Sequence, residues 1–252
     1  MPTPFTHLVV AQRLLTDDRV PGAARALLAS ERGAFLLGTI AADARVSSGI
    51  DREHTHFYAY NQSIVEPPWR VMLAKYPSLA QPRTAAQRAF VAGCVAHLVM
   101  DALWSQDMVR PYFVQREWAP QAHRLLMLNV LVIWMDERDY PRLEAWQRRA
   151  LLSAQPDDWL PFIPDSDLRE WRDFVGRQLP PEGQSATLQV LGERIGTRPD
   201  VLRQILDSLD ATGELWANVP PEVVARLEAR IYERARADML AYLDLSARAG
   251  SP

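Results

Sequence analysis

Cysteine, lysine and histidine are all scarce in this chain. Cys94 is the only cysteine in 252 residues, which excludes a disulfide within the chain and any thiolate zinc cluster. A metal site must therefore be built from histidine and carboxylate. Lys75 is the only lysine, so the positive charge is almost entirely arginine, and Lys+Arg 28 against Asp+Glu 31 leaves a net charge of -3. That balance argues against a nucleic-acid coat or a polybasic membrane binder. Long hydrophobic runs are missing as well. The most apolar stretch, Leu125 to Met135, is broken by Asn129 and falls short of the ~20 residues a spanning helix needs. The opening Met1-Pro-Thr-Pro-Phe-Thr-His7 has no basic stretch followed by an apolar segment, so no secretory leader is expected and the expected location is cytoplasmic.

Strand signals are absent too: no Asn-Gly or Asp-Gly turn separates alternating β-branched residues. Helix starts abound. Thr3-Pro4 predicts a helix to about Leu15, and Thr84-Ala-Ala-Gln87 is a capping box opening one that reaches about Trp104. Pro120 opens the helix that carries the apolar run, Pro141 the next, Ser166 caps another, and a last long helix runs from near Pro220 to about Ala247. The expected fold is an all-α multi-helix bundle. A composition of 48% hydrophobic and 23% charged residues supports a packed globular core. The segment Leu179-Pro-Pro-Glu-Gly-Gln-Ser185 reads as a linker, giving a domain over 1–178 and a C-terminal helical extension over 186–248.

The chemistry-bearing residues gather before that linker. His97 and Asp101 stand four apart on a predicted apolar helix, so they share one face and can reach one cation. Gly93, one turn earlier on that face, leaves room for another segment. The plain alternative is a His–Asp hydrogen bond that orients a core histidine. Asp43 ends the apolar stretch Gly38-Thr-Ile-Ala-Ala-Asp43, where a carboxylate is costly unless bound; the alternative is a helix or turn cap. His54 and His56 face one side in an extended segment and diverge on a helix. His7 lies in the first helix. Together these residues make a nitrogen and oxygen donor set suited to zinc.

Four patches in order, Thr6-His7-Leu8, Gly38 to Asp43, Thr55-His56-Phe57-Tyr58 and His97-x-x-x-Asp101, resemble the zinc-dependent phospholipase C family, which shares an all-helical fold with single-strand-specific zinc nucleases. The likeness covers about residues 5–125. It implies one zinc on Asp43, His56, His97 and Asp101, a second sharing Asp101 and taking His7, and one to three ions in all. At the family's third site this chain departs from the pattern. Asp107 stands ten after His97 in place of a histidine and is a further candidate ligand, as is the only later histidine, His123, although Met127 stands four residues on where the family has an acid. The implied activity is zinc-dependent hydrolysis of a phosphodiester, either a phospholipid head group or a small phosphodiester, with nucleic acid entering only as substrate. Asp43 would orient the attacking water or take its proton. Two readings from other classes remain: a non-catalytic helical regulatory protein with a structural metal, and a helix-turn-helix DNA binder through residues 188–210, where Asp200, Asp207 and Asp210 dilute Arg198 and Arg203.

Overall fold

The computed structural model describes residues 2–60 and 62–249. Helix makes up 75% of the chain and the described residues contain no strand, so the all-α expectation holds at the level of fold class. The elements in order are α1 (Pro4–Thr16), α2 (Gly22–Ser30), α3 (Arg32–Gly38), a 3₁₀ turn (Ala41–Ala44), α4 (Arg45–Ser48), α5 (Arg52–His56) and α6 (Pro68–Lys75). There follow α7 (Ala85–Trp104), a π-helical continuation (Ser105–Gln115), α8 (Gln121–Asp139), α9 (Ala145–Ser153) and α10 (Asp165–Gln178). The C-terminal part holds α11 (Thr187–Ile195), α12 (Pro199–Asp207), α13 (Leu209–Thr212), α14 (Glu214–Asn218) and α15 (Pro221–Ala249).

Helix α7 is the axis of the bundle. It is apolar on every side, as a helix surrounded by others must be, and its most apolar window is 89% buried. On one flank α3 crosses it, and on another the long α15 runs along it. The crossing with α3 is a close approach of two glycines. A Cβ at Gly93 would lie 2.4 Å from Phe35 O and 2.8 Å from Thr39 N, and one at Gly38 would lie 2.0 Å from Phe90 O. Only glycine permits that spacing, and it brings the chain after α3 directly onto the face of α7 that carries His97 and Asp101.

Several helix ends differ from the expected ones. Thr84 caps α7 as expected, its hydroxyl accepting from the Gln87 N–H at 3.1 Å. Thr3 flanks α1 but caps nothing; its hydroxyl donates instead to the buried Asp136. Pro141 lies in a 3₁₀ turn (Tyr140–Arg142), and α9 begins at Ala145 behind a capping box between Glu144 and Gln147. Ser166 sits inside α10, whose cap position is Pro164. In the expected linker, Tyr140 Oη donates to the carbonyls of Gln178 at 2.6 Å and Gly183 at 2.8 Å, so the segment is fastened to the end of α8. Beyond it, α11 and α12 pack on α8.

Candidate metal centre

Residues from four elements meet at the α3–α7 crossing: His7 from α1, Asp43 from the 3₁₀ turn, His56 from the end of α5, and His97 with Asp101 from α7. Each backbone is held in place. Gly38 lets the chain lie against α7, Thr39 O accepts a hydrogen bond from His97 Nδ1 at 2.8 Å, and Ile40 O accepts one from Trp171 Nε1 at 2.8 Å. Asp43 follows three residues later, buried, and caps nothing. At the other side Phe57 takes a left-handed conformation (φ 62), which ends α5 and turns the chain sharply after His56. For a bulky residue that conformation costs about 1–2 kcal/mol, offset here by packing of its ring against Phe162 and Tyr76.

Four ligand atoms converge. His56 Nε2 lies 3.0 Å from Asp101 Oδ2, 3.4 Å from His97 Nε2 and 3.6 Å from Asp43 Oδ1, while His97 Nε2 lies 3.6 Å from Asp101 Oδ2. Ligands on a tetrahedral zinc at 2.0–2.1 Å stand about 3.3 Å from one another; these four separations bracket that value, and the whole group lies within 4.8 Å. Asp43, His56, His97 and Asp101 are all buried and can hold one metal ion. His7 lies at the edge of the group. Its Nε2 is 3.4 Å from the other Asp101 oxygen, Oδ1, without the geometry of a hydrogen bond, and its ring stacks on that of His97 at 4.2 Å.

The histidines are set for binding a cation. A carbonyl can only accept, so the proton of His97 sits on Nδ1 and the Nε2 lone pair faces the cluster. His56 Nδ1 pairs at 2.8 Å with the Thr55 hydroxyl, which itself donates to Arg52 O at 3.2 Å. Given to that carbonyl, the hydroxyl proton leaves Nδ1 of His56 as the donor and its Nε2 free for a cation; given to Nδ1, it leaves Nε2 to donate to Asp101 Oδ2 at 3.0 Å. Burial, reinforced by the neighbouring His7, pushes the His97 pKa down to about 4, and burial likewise lowers that of His56, so both rings are neutral at pH 7. Arg52 Nη2, 3.5 Å from Asp101 Oδ2, supplies fixed positive charge beside the buried Asp101 carboxylate.

What the cluster lacks is partners for its inward atoms. His7 Nδ1 and Nε2, Asp43 Oδ1 and Asp101 Oδ1 are buried without a hydrogen bond. Each such atom costs about 1–3 kcal/mol, and their concentration in one spot is what a shared cation would relieve. The plain alternative of a self-contained His–Asp pair does not account for them. Around the cluster, Arg52 is buried, with Nη2 donating to Tyr58 Oη at 2.6 Å and lying 3.5 Å from Asp101 Oδ2. Its guanidinium lies over the rings of Tyr58 at 4.4 Å and Tyr60 at 4.1 Å. Tyr58 Oη in turn donates to Asp101 O at 3.0 Å.

Other expected ligands lie elsewhere. Asp107 pairs with Arg230 of α15 at 3.1 Å, because the π-helical winding after Trp104 carries it toward that helix. His123 is partly exposed, and its Nε2 contacts Glu214 at 3.0 Å. His54 is exposed, since residues 52–56 form a helix and the two histidines diverge. No further group of three such ligands gathers among the described residues. In the helix-turn-helix candidate, Gly196 ends α11 with φ 68 and Pro199 starts α12. Arg198 pairs with Asp200, and Arg203 with Glu137 and Asp207, so acids of the protein itself neutralise the cations a DNA reader would present.

Beside the cluster opens a cleft of 720 Å³ with Asp43 on its wall, bordered also by Arg45, Arg52, Phe5, Trp171 and Arg194. Thr39 and Thr55 lie inside the sequence patches without any signal of their orienting role, and the cleft residue Arg194 lies outside them. The two threonines act by lying beside a histidine brought from a distant segment, and Arg194 belongs to a helix whose packing onto α8 no local pattern announces. In comparison with known proteins, the chain matches no family model, no curated protein and no solved structure.

Proposed function

We propose that this protein is a zinc-dependent hydrolase of phosphodiester bonds. The observation that carries the reading is a buried set of two neutral imidazoles and two carboxylates whose ligand atoms lie within 4.8 Å of one another, with one member, Asp43, on the wall of a cleft. Asp43, His56, His97 and Asp101 would hold the ion, and His7 with Asp101 Oδ1 would hold a second. When bound, zinc polarises a phosphoryl oxygen and brings the pKa of a water ligand to about 7. Asp43 orients the attacking water in the cleft and accepts its proton. Arg45 and Arg52, which also line the cleft, balance the charge of the phosphate. Thr39 O and the Thr55 hydroxyl keep the two imidazoles aimed inward.

A structural metal is the second reading, and the position of Asp43 on the wall of a cleft speaks against it, because a structural site is closed by its protein ligands. Metal analysis of the purified protein, combined with turnover of bis(p-nitrophenyl) phosphate, separates the two. The hydrolase reading expects bound zinc and turnover, both lost in His97→Ala and Asp101→Ala. Zinc without turnover supports the structural role, and turnover indifferent to both substitutions removes the site from the chemistry.

A further inference from the structure

The cleft is larger than a phosphodiester needs, and the C-terminal part of the chain builds part of its wall. Its 720 Å³ falls within the roughly 300–1,000 Å³ of pockets that enclose a whole small organic ligand. The lining divides by chemistry. Phe5, Val132, Trp171, Phe174 and Leu191 make an apolar face, which Val190 extends along α11, and Arg45 and Arg194 bring positive charge. Arg45 Nε is buried with no hydrogen-bond partner, a cost that an anion in the cleft would relieve. Desolvation pushes the Tyr60 phenol up while the charges of Arg52 and Arg194 oppose it, so Arg194 shares the neighbourhood of the residues around the cluster. The acids on the wall are engaged locally: Asp51 accepts from Glu53 N–H at 3.2 Å, and Glu193 accepts from Gln189 at 2.5 Å. Thr3 and Thr187 both line the cleft and both donate to the carboxylate of Asp136, so one buried group fastens the N-terminal segment and the start of α11.

We propose that α11 sets the specificity of this site by walling the cleft so that it takes an amphiphile with a single apolar chain and a phosphate head. The chain lies against Phe174, Val190 and Leu191, and the head lies between Arg45, Arg194 and the Asp43 end. The choice of a phosphate head rests on the hydrolase reading above, whereas the single enclosed chain rests on the cleft alone.

Calorimetric titration of the full-length, metal-free chain with butyl, hexyl and octyl phosphate, below their micelle concentrations, tests this. Each buried methylene strengthens binding about fourfold, so affinity is expected to rise about fifteenfold for each two-carbon step. Val190→Asp and Phe174→Ala, with folding verified by helical circular dichroism, flatten that dependence, and Arg45→Gln weakens all three ligands alike. A dialkyl phosphate binds no tighter than the single-chain ligand of equal length. A series with no dependence on chain length in the native protein overturns the proposal, as does a dialkyl phosphate that gains the same increment for its second chain. Arg45→Gln without effect overturns the placement of the head. Because the ligand series is read without metal and the hydrolase test uses a tail-free diester, failure of one is distinguishable from failure of the other.

Discussion

Replacing Gly93 with alanine puts two opposing effects in one experiment. In an exposed helix interior the change stabilises by roughly 0.5–1 kcal/mol, because alanine loses less backbone freedom. At this position the new Cβ would stand 2.4 Å from Phe35 O and 2.8 Å from Thr39 N, both backbone atoms that cannot rotate away. Relief requires α3 and the following turn to move off α7 by about 1 Å, and overpacking of that kind costs typically 1–3 kcal/mol. The net expectation is destabilisation by about 1–2 kcal/mol, which for a chain of this size lowers Tm by about 2–8 °C. The same movement carries Thr39 O away from His97 Nδ1, a bond now 2.8 Å long. Loss of an orienting partner of a metal histidine lowers metal affinity about 10–100-fold. Calorimetric melting and zinc competition against a chromophoric chelator read the two effects. Gly22→Ala is the control, since a Cβ there meets nothing within 4 Å. A Gly93→Ala protein that melts no lower than the native one and binds zinc as tightly would refute the argument that this crossing builds the site.

Further outcomes follow from the same geometry. Zinc at 100 times its Kd is expected to stabilise the native chain by about 2.7 kcal/mol, a Tm rise of about 5–11 °C, and scanning calorimetry should show no rise in His97→Ala. Thr55→Val removes the hydroxyl that meets His56 Nδ1 at 2.8 Å and should weaken zinc binding about 10–100-fold while the helical signal is unchanged, as equilibrium dialysis would show. Asp136 carries the pH dependence. Burial raises its pKa from 3.8 to about 6 despite hydroxyl donors from Thr187, Thr3 and Ser185. A carboxyl with a raised folded pKa contributes stability that is complete below about 4 and lost as pH rises through about 6, about 3 kcal/mol in all. Asp136→Asn should therefore gain on the native protein between pH 4 and pH 7 in urea unfolding, and a stability difference independent of pH would contradict the assignment.

The parts of the site that could be read from the sequence are those governed by local periodicity. The four-residue step from His97 to Asp101 and the glycine one turn before them follow from the winding of a single helix, and α7 supplies both. Asp43 and His56 are different. Nothing local joins them to α7, and only the order of motifs suggested that they meet; the Gly38–Gly93 crossing and the left-handed turn at Phe57 are what bring them there. Asp107 shows the limit of counting along a helix, since ten residues after His97 the winding has changed from α to π. Helix α9 starts at Ala145 and not after Pro141, because the Glu144–Gln147 capping box sets its first turn while the proline sits in a 3₁₀ turn. Thr3 departs from the cap pattern because a cap-type residue before proline can instead donate to a distant carboxylate. Arg194 required the tertiary arrangement of α11, which depends on a hydrogen bond 51 positions away in sequence, from Thr187 to Asp136.

Arg52, set beneath Tyr58 and Tyr60 and 3.5 Å from Asp101, changes what the centre can attract. Without an ion, the two carboxylates outweigh the guanidinium and the interior is negative by one charge. With a divalent ion it becomes positive by one. Occupancy thus changes the charge of this interior by two, and with Arg45 and Arg194 already on the cleft wall an anion is held more tightly by the loaded protein than by the vacant one. Had a neutral side chain stood at position 52, the loaded centre would balance to zero instead of carrying a positive charge.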